Sequence, residues 1–393
     1  MHGSAGMLIG LCVGMAAGLL LPAAVTRAVE PIGLLWFNAL RMTVIPIVMA
    51  QLILGLNTEI EARALGKLGV RAFAWFVALL AATATFSAVV TPILLRWMPA
   101  MPPAVGFTPP GPVPGFGEWI ATLLPANVIQ AAAEGKLLAL ILFALLFGAA
   151  VRHVRESRKR GLLFTIAGIN DAMLIIVGWV MRVAPYGVAA LAVTLFSRLG
   201  SSAAGALGYY VLLFCGIEVA ATAAMYLLVL TRGKIDFRQW AAAVAPIQAL
   251  AFSSRSSMAA LPAMVAAAER RLGLSPAVTG FVLPLAVSVF RYSTPVSHVT
   301  GAIFIAHLYG IELSAVQMLL MVVTTVFLSF SSPGIPSGGL LVALPLFQQL
   351  GLPPEGLGLL IAADAIPDMF KTLANVTAHM AVAVVVTPNR SVG

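Results

Sequence analysis

Charge is scarce in this chain of 393 residues, because only 9% of them are Asp, Glu, Lys or Arg while 61% are hydrophobic. A soluble domain carries about 25% charged residues, so the composition excludes a water-soluble globular protein. Cysteine is also scarce, and both copies, Cys12 and Cys215, lie within apolar stretches. They indicate neither a disulfide framework nor a metal site, and we expect no metal or other cofactor.

Long apolar runs take the place of the missing charge. Most of them approach the ~20 residues that a helix needs to cross ~30 Å of hydrocarbon. In the first part of the chain they cover residues 8–21, 34–56, 73–95, 137–151, 172–195 and 209–230. They predict an all-α polytopic membrane protein whose partner is the lipid bilayer. The first run has no cleavage site of small residues, so we interpret it as a retained span rather than a signal peptide.

Positive charge is concentrated between the apolar runs and gives the chain a formal net charge of +9. The three clusters are Arg63, Lys67 and Arg71; Arg152, Arg155, Arg158, Lys159 and Arg160; and Arg232, Lys234 and Arg238. All three fall on the cytoplasmic side if the N-terminus is cytoplasmic, which is the asymmetry that membrane proteins show. The charge therefore indicates orientation, and we do not expect nucleic acid as a partner.

The later part of the chain is less regular than the six spans predicted up to residue 231. Residues 99–117 contain too many prolines for a helix and predict an extramembrane loop. After residue 231, polar segments at 253–258, 290–294 and 329–339 interrupt the apolar runs. A single Ser- and Gly-rich break would be ordinary helix packing. Together with the polar last run they form two matched pairs, which is typical of the inverted repeats of transporters.

The last apolar run carries a stripe of polar side chains. Its members are Asp364, Asp368, Lys371, Thr372, Asn375 and His379, whose spacing places them on one side of one helix. Ionisable groups inside a membrane face a cavity or partner charges and mark functional sites. The alternative is a purely structural ion pair between Lys371 and one of the two aspartates.

At these motifs the sequence resembles the dicarboxylate/amino acid:cation symporter family, the glutamate and aspartate transporters. The similar segments are RMTVIPIVMAQLILGL, VMRVAPYGVAAL, AFSSRSSMAALP, SSPGIPSGG and DAIPDMFKTLANVTAH, which are spread over almost the whole chain. The resemblance implies eight transmembrane spans plus two re-entrant helical hairpins with inverted repeats. It also implies the elevator-type glutamate transporter fold, assembled as a homotrimer.

The resemblance further implies two functional parts. Residues 1–231 would supply six spans that are mostly a static trimerisation scaffold, with the third and sixth spans joining the moving domain. Residues 232–393 would form the transport core. This core would contain hairpin 1 (about 238–272), a broken span 7 (about 276–310), hairpin 2 (about 314–350) and span 8 (about 354–388).

The substrate site that the resemblance implies also maps onto this sequence. Asp368 matches the acid that receives a substrate ammonium, Asn375 the amide that binds the main carboxylate, and Arg255 an arginine that braces the acids of the last span. Lys371 stands where acidic-substrate members carry an arginine, and an ammonium attracts an anion without gripping it bidentately. The other expected substrate-binding residues are Ser256, Ser257, Thr294, Gly334, Asp364 and Thr372.

The sodium-binding positions of the family are altered here. The broken span normally reads Asn-Met-Asp-Gly-Thr, and FRYST stands in its place, so Phe290 and Tyr292 replace an amide and a carboxylate. His379 replaces an acid of the last span, and Arg291 adds a positive charge that repels a nearby cation. Because hard cations need oxygen ligands, these changes predict that sodium coupling is lost. His379 is a candidate proton carrier; a neutral structural histidine, with uncoupled uptake or exchange, is the alternative.

These features predict a secondary transporter of an acidic amino acid, similar to aspartate or glutamate, or of a related carboxylate. We expect it in a prokaryotic inner membrane. A C4-dicarboxylate or neutral amino acid transporter and an anion-conducting pore on the same fold remain alternatives; a pore would neither saturate nor exchange substrate. We do not expect an enzyme, since Ser256 with His298 or His379 lacks the spacing of a nucleophile elbow or a metal site.

Overall fold

The fold is helical throughout the part of the chain that the structure, a computed structural model, describes: residues 2–57, 66–98, 124–134, 137–199, 202–331 and 338–387. The all-α prediction is confirmed there. The proline-rich segment 99–117 and Gly334 lie outside the described residues. The helices are α1 His2–Leu20, α2 Ala23–Leu56, α3 Gly66–Leu95, α4 Val128–Ala133, α5 Leu137–Val151, α6 Glu156–Arg182, α7 Ala184–Leu199, α8 Ser202–Leu228, α9 Phe237–Ser254, α10 Ser257–Arg270, α11 Pro276–Val289, α12 Thr294–Leu308, α13 Ala315–Phe330, α14 Gly338–Leu341, α15 Leu344–Gln349, α16 Pro354–Ala363 and α17 Pro367–Val386, and a π-helical turn, Val229–Gly233, follows α8.

Four of the described helical segments are long and apolar enough to cross a membrane. They are Leu68–Leu95, Glu156–Arg182, Gly205–Gly233 and Pro367–Val386. In the last of these, 78% of the most apolar window is buried inside the chain, against 6% in Glu156–Arg182. The last helix is therefore central to the fold, whereas α6 is peripheral.

Glycine allows α1 to pack directly on the backbone of α7. Gly10, Gly14 and Gly18 recur every four residues and are all buried, so they share one helix face. A Cβ at Gly10 would collide with the carbonyl oxygen of Pro185, and a Cβ at Gly14 with that of Ala189. Small residues at this spacing let membrane helices approach closely, which is how they gain packing energy in lipid.

The apolar run 172–195 differs from the single span that its hydropathy predicts. Helix α6 ends at Arg182, and α7 begins at Ala184. Pro185 accounts for the break, because proline donates no backbone hydrogen bond and disfavours helical backbone at the residue before it. Helix α7 packs against α1 and α2 instead of continuing α6.

The second half of the chain is organised around α17. Helices α9 and α10 form a hairpin that turns at residues 255–256, and residues 290–293 separate α11 from α12. Helices α8, α9, α10 and α11 all pack against α17. Buried apolar side chains of these helices and of α3 form one core. A second core lies mainly among α2, α7, α8, α12 and α16.

The last apolar run contains two helices rather than one. Helix α16 ends at Ala363, α17 begins at Pro367, and a turn lies between them. Proline is well placed in the first turn of a helix, where its missing N–H has no partner to lose. The prediction that all six polar residues share one helix is therefore wrong for Asp364, which lies in the turn. Its carbonyl oxygen still accepts from Asp368 N at 2.8 Å, so the two aspartates stay close.

Candidate functional site

A cavity of about 180 Å³ lies where the α9–α10 turn, the break between α11 and α12, and the start of α17 meet. Eight of the ten predicted substrate-binding residues line it. Of the other two, Asp364 lies outside the lining and Gly334 falls outside the described residues. The described residues that line it are Arg255, Ser256, Ser257, Met258, Arg291, Ser293, Thr294, Ser297, Gly339, Asp368, Lys371, Thr372 and Asn375.

Arg255 joins the hairpin turn to α17. It ends α9 with a φ of 55°, a left-handed conformation that is uncommon for a residue other than glycine. Its Nε and Nη2 both donate to Asp368 Oδ2, at 2.9 and 2.7 Å. The two side chains are only 9% and 11% exposed, and charge-assisted hydrogen bonds of this kind are strong. The arginine thus holds the turn against the acid that was expected to receive a substrate ammonium.

The start of α10 lies at the same cavity. The Ser256 hydroxyl caps the helix by accepting from Ala259 N at 3.2 Å. Ser257 and Met258, in the first turn, line the cavity. The first N–H groups of a helix have no intrahelical acceptors and favour an anion, so this end of α10 suits a carboxylate.

The Lys371 ammonium is shared by two carboxylates. Its Nζ donates to Asp364 Oδ1 at 2.6 Å and lies 3.5 Å from Asp368 Oδ1. The Asp364 side chain is only 2% exposed, and a carboxylate buried that deeply needs a cation. The ion pair that the sequence left as an alternative is therefore present, and Lys371 is largely occupied by it.

Asn375 is oriented by a backbone group across the cavity. Its Oδ1 accepts from Ser293 N at 3.0 Å. The amide oxygen is therefore engaged, and the Nδ2 group is the part left to donate to a ligand. Beside it, the Thr372 hydroxyl donates to the Asp368 carbonyl oxygen at 2.8 Å within α17. Thr294 lines the cavity at the start of α12.

Arg291 differs from the other two cations at the cavity. Among the described residues it forms no ion pair, and its buried Nε has no hydrogen-bond partner. It lies in the non-helical segment between α11 and α12 and lines the cavity with Arg255 and Lys371, which are both paired. Its side chain is partly buried, and a cation in such a position without a carboxylate favours an anionic ligand.

The other three residues predicted to replace sodium ligands form an aromatic cluster away from the cavity lining. Phe290 stacks on Phe76 with ring centroids 4.5 Å apart, and the rings of Tyr292 and His379 lie 6.0 and 5.9 Å from it. The Tyr292 hydroxyl donates to the Ala221 carbonyl oxygen at 2.9 Å. His379 Nε2 lies 2.8 Å from the carbonyl oxygen of its neighbour Phe290. All four rings are at most 1% exposed, so apolar packing fills this region.

Glu218, in the middle of α8, is a buried acid that the sequence analysis missed. Its side chain is fully buried, its Oε1 accepts from the Ser293 hydroxyl, and its Oε2 has no partner in the described part of the chain. The signal was present, because Glu218 is the one acidic residue in the apolar run 209–230. Ser293 and Ser297 were also missed, since serine within a broken helix is indistinguishable from a packing residue.

The second hairpin reaches the cavity through its short helix. Gly339, near the start of α14, lines the cavity, and its carbonyl oxygen lies 2.7 Å from His298 Nε2 of α12. His298 is fully buried. It therefore anchors the second hairpin to the broken span and does not serve as a base beside Ser256.

Comparisons with known proteins identify a family of membrane transporters. The model of the sodium:dicarboxylate symporter family matches residues 4–388. The chain is 28% identical to the proton/sodium-glutamate symport protein of Bacillus subtilis (strain 168), covering 96% of this chain and 90% of that one. It is 28% identical to the proton/glutamate-aspartate symporter of Escherichia coli (strain K12), covering 90% and 84%. It is also 28% identical to the human neutral amino acid transporter A, covering 88% and 73%.

These matches, together with the long apolar helices, establish an integral membrane transporter rather than an enzyme. The family match spans nearly the whole sequence, from the first helix to the end of α17. The chain belongs to the sodium:dicarboxylate symporter family.

Proposed function

We propose that this protein is a secondary transporter of an acidic amino acid, similar to aspartate or glutamate, and that sodium does not drive it. The bacterial relatives are named as glutamate or glutamate-aspartate symporters, which supports an amino acid substrate. The Arg291 guanidinium lines the cavity and forms no ion pair among the described residues, and this observation supports a negatively charged substrate.

The charges around the cavity select a ligand with one net negative charge. Among the described residues, Arg255, Arg291 and Lys371 face two carboxylates, Asp364 and Asp368, which leaves one positive charge if Glu218 is neutral. An acidic amino acid carries two carboxylates and one ammonium, so its net charge of about −1 complements this site. A neutral amino acid would leave the positive charge uncompensated, and a dicarboxylate would overcompensate it.

The ligand groups also have separate partners. The ammonium would bind Asp368, whose Oδ1 lies 3.5 Å from Lys371 and retains lone pairs for another donor. The main carboxylate would bind Asn375 Nδ2 and the first N–H groups of α10. The second carboxylate would bind Arg291, whose planar guanidinium matches a carboxylate in a way that an ammonium does not.

Sodium independence is supported by the packing around Phe290. A sodium site needs several oxygen ligands, and here aromatic rings fill the space beside Phe290 while His379 occupies its carbonyl oxygen. Coupling to protons, or uncoupled uptake and exchange, would then replace sodium coupling. The elevator motion, the homotrimer and the location in a bacterial inner membrane belong to the same proposal and rest on family membership.

Transport by protein reconstituted in liposomes tests the proposal. Labelled aspartate and glutamate should enter saturably and exchange with internal unlabelled substrate, equally well with sodium or choline outside. Serine and succinate are the matched competitors, since each lacks one charged group of aspartate. Stronger competition by serine would favour the neutral amino acid alternative, which the human relative's name suggests. Anion flux that neither saturates nor exchanges would favour a pore.

A further inference from the structure

Glu218 is a buried carboxylate that makes none of the proposed contacts with the substrate. It lies in the middle of α8, is 0% exposed, and contacts the break between α11 and α12 through the Ser293 hydroxyl. In the described part of the chain, its Oε2 has no hydrogen-bond partner and no cation lies within ion-pair distance. An isolated ionised carboxylate in such surroundings is costly, so the group needs a proton or a cation.

The groups around Glu218 do not supply that cation. Lys371 and Asp364 lie within electrostatic range, but the lysine ammonium is bonded to the aspartate at 2.6 Å. From the broken span comes the neutral Tyr292, and from α8 itself come Tyr210 and Cys215. Other elements packed against α8 supply no cation beside Glu218 either. Helix α12 contributes the buried His298, which is bonded to the Gly339 carbonyl, and α3 contributes only the hydroxyls of Thr83, Ser87 and Thr91. Tyr186 of α7 is 75% exposed, and Arg232 lies in the π-helical turn after α8.

Ser293 connects Glu218 to the substrate cavity. Its hydroxyl donates to Glu218 Oε1, and its backbone N–H donates to Asn375 Oδ1 at 3.0 Å. The same residue therefore orients the amide that would bind the substrate carboxylate and contacts the buried acid. Ser293 therefore links substrate binding at Asn375 to the protonation of Glu218.

We propose that Glu218 binds the coupling proton, and that one proton crosses the membrane with each acidic amino acid. The inference rests on the proposed function and identifies its coupling ion. The proton enters from water on the acidic side, adds to a carboxylate oxygen of Glu218, and leaves to water on the opposite side after the substrate is released. No redox partner or other reactant is needed.

Charge balance explains why proton and substrate would move together. With Glu218 ionised, its charge joins those of Asp364 and Asp368 and balances the three cations, so the empty site is neutral. With Glu218 protonated and an acidic amino acid bound, the site is again neutral. Either ligand alone leaves one net charge, which is costly to carry through hydrocarbon. Only the two neutral forms would cross readily, which is the requirement for symport.

The test is accumulation of labelled aspartate in liposomes with a pH gradient and a separately clamped membrane potential. Wild-type protein should concentrate aspartate inside ~10-fold for each pH unit when the outside is acidic. At one proton per substrate, the aspartate gradient at equilibrium equals the proton gradient. The potential should have no effect, since the transported pair is neutral. Glu218→Gln should exchange aspartate across the membrane yet fail to concentrate it.

Matched variants separate a specific role from a general defect. Asp171→Asn makes the same carboxylate-to-amide change at an exposed position of α6 and should behave as wild type. Ser293→Ala removes the hydroxyl but keeps the carboxylate, so some response to the pH gradient should persist. Undiminished accumulation of aspartate by Glu218→Gln would overturn the proposal. So would a result in which His379→Gln loses accumulation while Glu218→Gln keeps it.

An infrared measurement keeps the inference testable if transport fails. Purified wild-type protein should show the carbonyl band of a buried protonated carboxylic acid, and Glu218→Gln should lack it. If wild type exchanges no acidic amino acid, the proposed function is wrong, and this band still decides whether Glu218 holds a proton. If wild type transports aspartate but shows no such band at any pH, the proposed function stands and the role of Glu218 is wrong.

Discussion

Replacing Arg291 by glutamine should separate acidic from neutral ligands. The guanidinium lines the cavity without a described carboxylate partner, so its hydrogen bond to a ligand carboxylate would be charge-assisted and little offset by a competing ion pair. Such bonds contribute about 1.5–3 kcal/mol. At 1.4 kcal/mol per factor of ten, Arg291→Gln should lower the affinity for aspartate by about ten- to a hundredfold. The affinity for serine, which has no second carboxylate, should change by less than about twofold.

Lys371→Gln provides the contrast. The lysine is bonded to the buried Asp364, so removing it leaves a buried carboxylate without its cation, which costs about 3–5 kcal/mol. We expect lower thermal stability and a similar loss of affinity for aspartate and serine. Arg291→Gln removes a cation that forms no ion pair among the described residues, so it should change the stability of the ligand-free protein much less. The two variants should therefore differ clearly in stability.

Titration calorimetry with aspartate and serine, together with thermal unfolding in detergent, measures both quantities. The reasoning fails if Arg291→Gln weakens the two ligands equally. It also fails if Lys371→Gln selectively loses aspartate while the fold is unperturbed, because the second carboxylate would then bind the lysine, as the family position suggests.

Three further predictions follow from the packing and the site. Gly14→Ala should destabilise the protein by about 1–3 kcal/mol in thermal unfolding, because its Cβ meets the Ala189 carbonyl, while Gly168→Ala, with open space around it, should not; equal effects would mean that the α1–α7 contact is not tight. Aspartate affinity should be the same in sodium, potassium and choline, and a steep rise with sodium would show that a cation site survives. Asp368→Asn should lower the affinity for aspartate at least ~10-fold, because the partner of the substrate ammonium is lost, and should raise the affinity for succinate relative to that for aspartate in competition assays. Equal losses of affinity for both ligands would indicate that Asp368 serves only to hold Arg255.

The polar breaks of the later sequence carried most of the information about the site. Residues such as Ser256, Thr372 and Asn375 interrupt apolar stretches, and a membrane tolerates them only when they face one another or a cavity. That requirement favours a fold in which the hairpin turn, the broken span and the last helix meet, while the resemblance to the symporter family supplied the individual site residues. The structure places eight of those ten residues around a single cavity.

The pairing of charges could not be read from spacing. Lys371 lies three residues from Asp368 and seven from Asp364, and the structure places its ammonium closer to the more distant acid. Asp368 is instead bonded by Arg255, which is 113 residues away in sequence. Such choices depend on the turn before Pro367 and on the left-handed backbone at Arg255, both of which are settled by tertiary packing rather than by local propensity.

The aromatic cluster shows why the altered sodium positions must be considered together. Phe290 stacks on Phe76, the Tyr292 hydroxyl donates to the Ala221 carbonyl oxygen, and His379 lies within hydrogen-bond distance of the Phe290 carbonyl oxygen. Each contact removes either space or an oxygen atom that a bound cation would need. Restoring one carboxylate at Tyr292 would leave the rings and the occupied carbonyl in place, and would bury a new charge without a partner. The proposed loss of sodium coupling would therefore be a property of the packed cluster, and Arg291 beside it would permanently supply the charge that a cation brings.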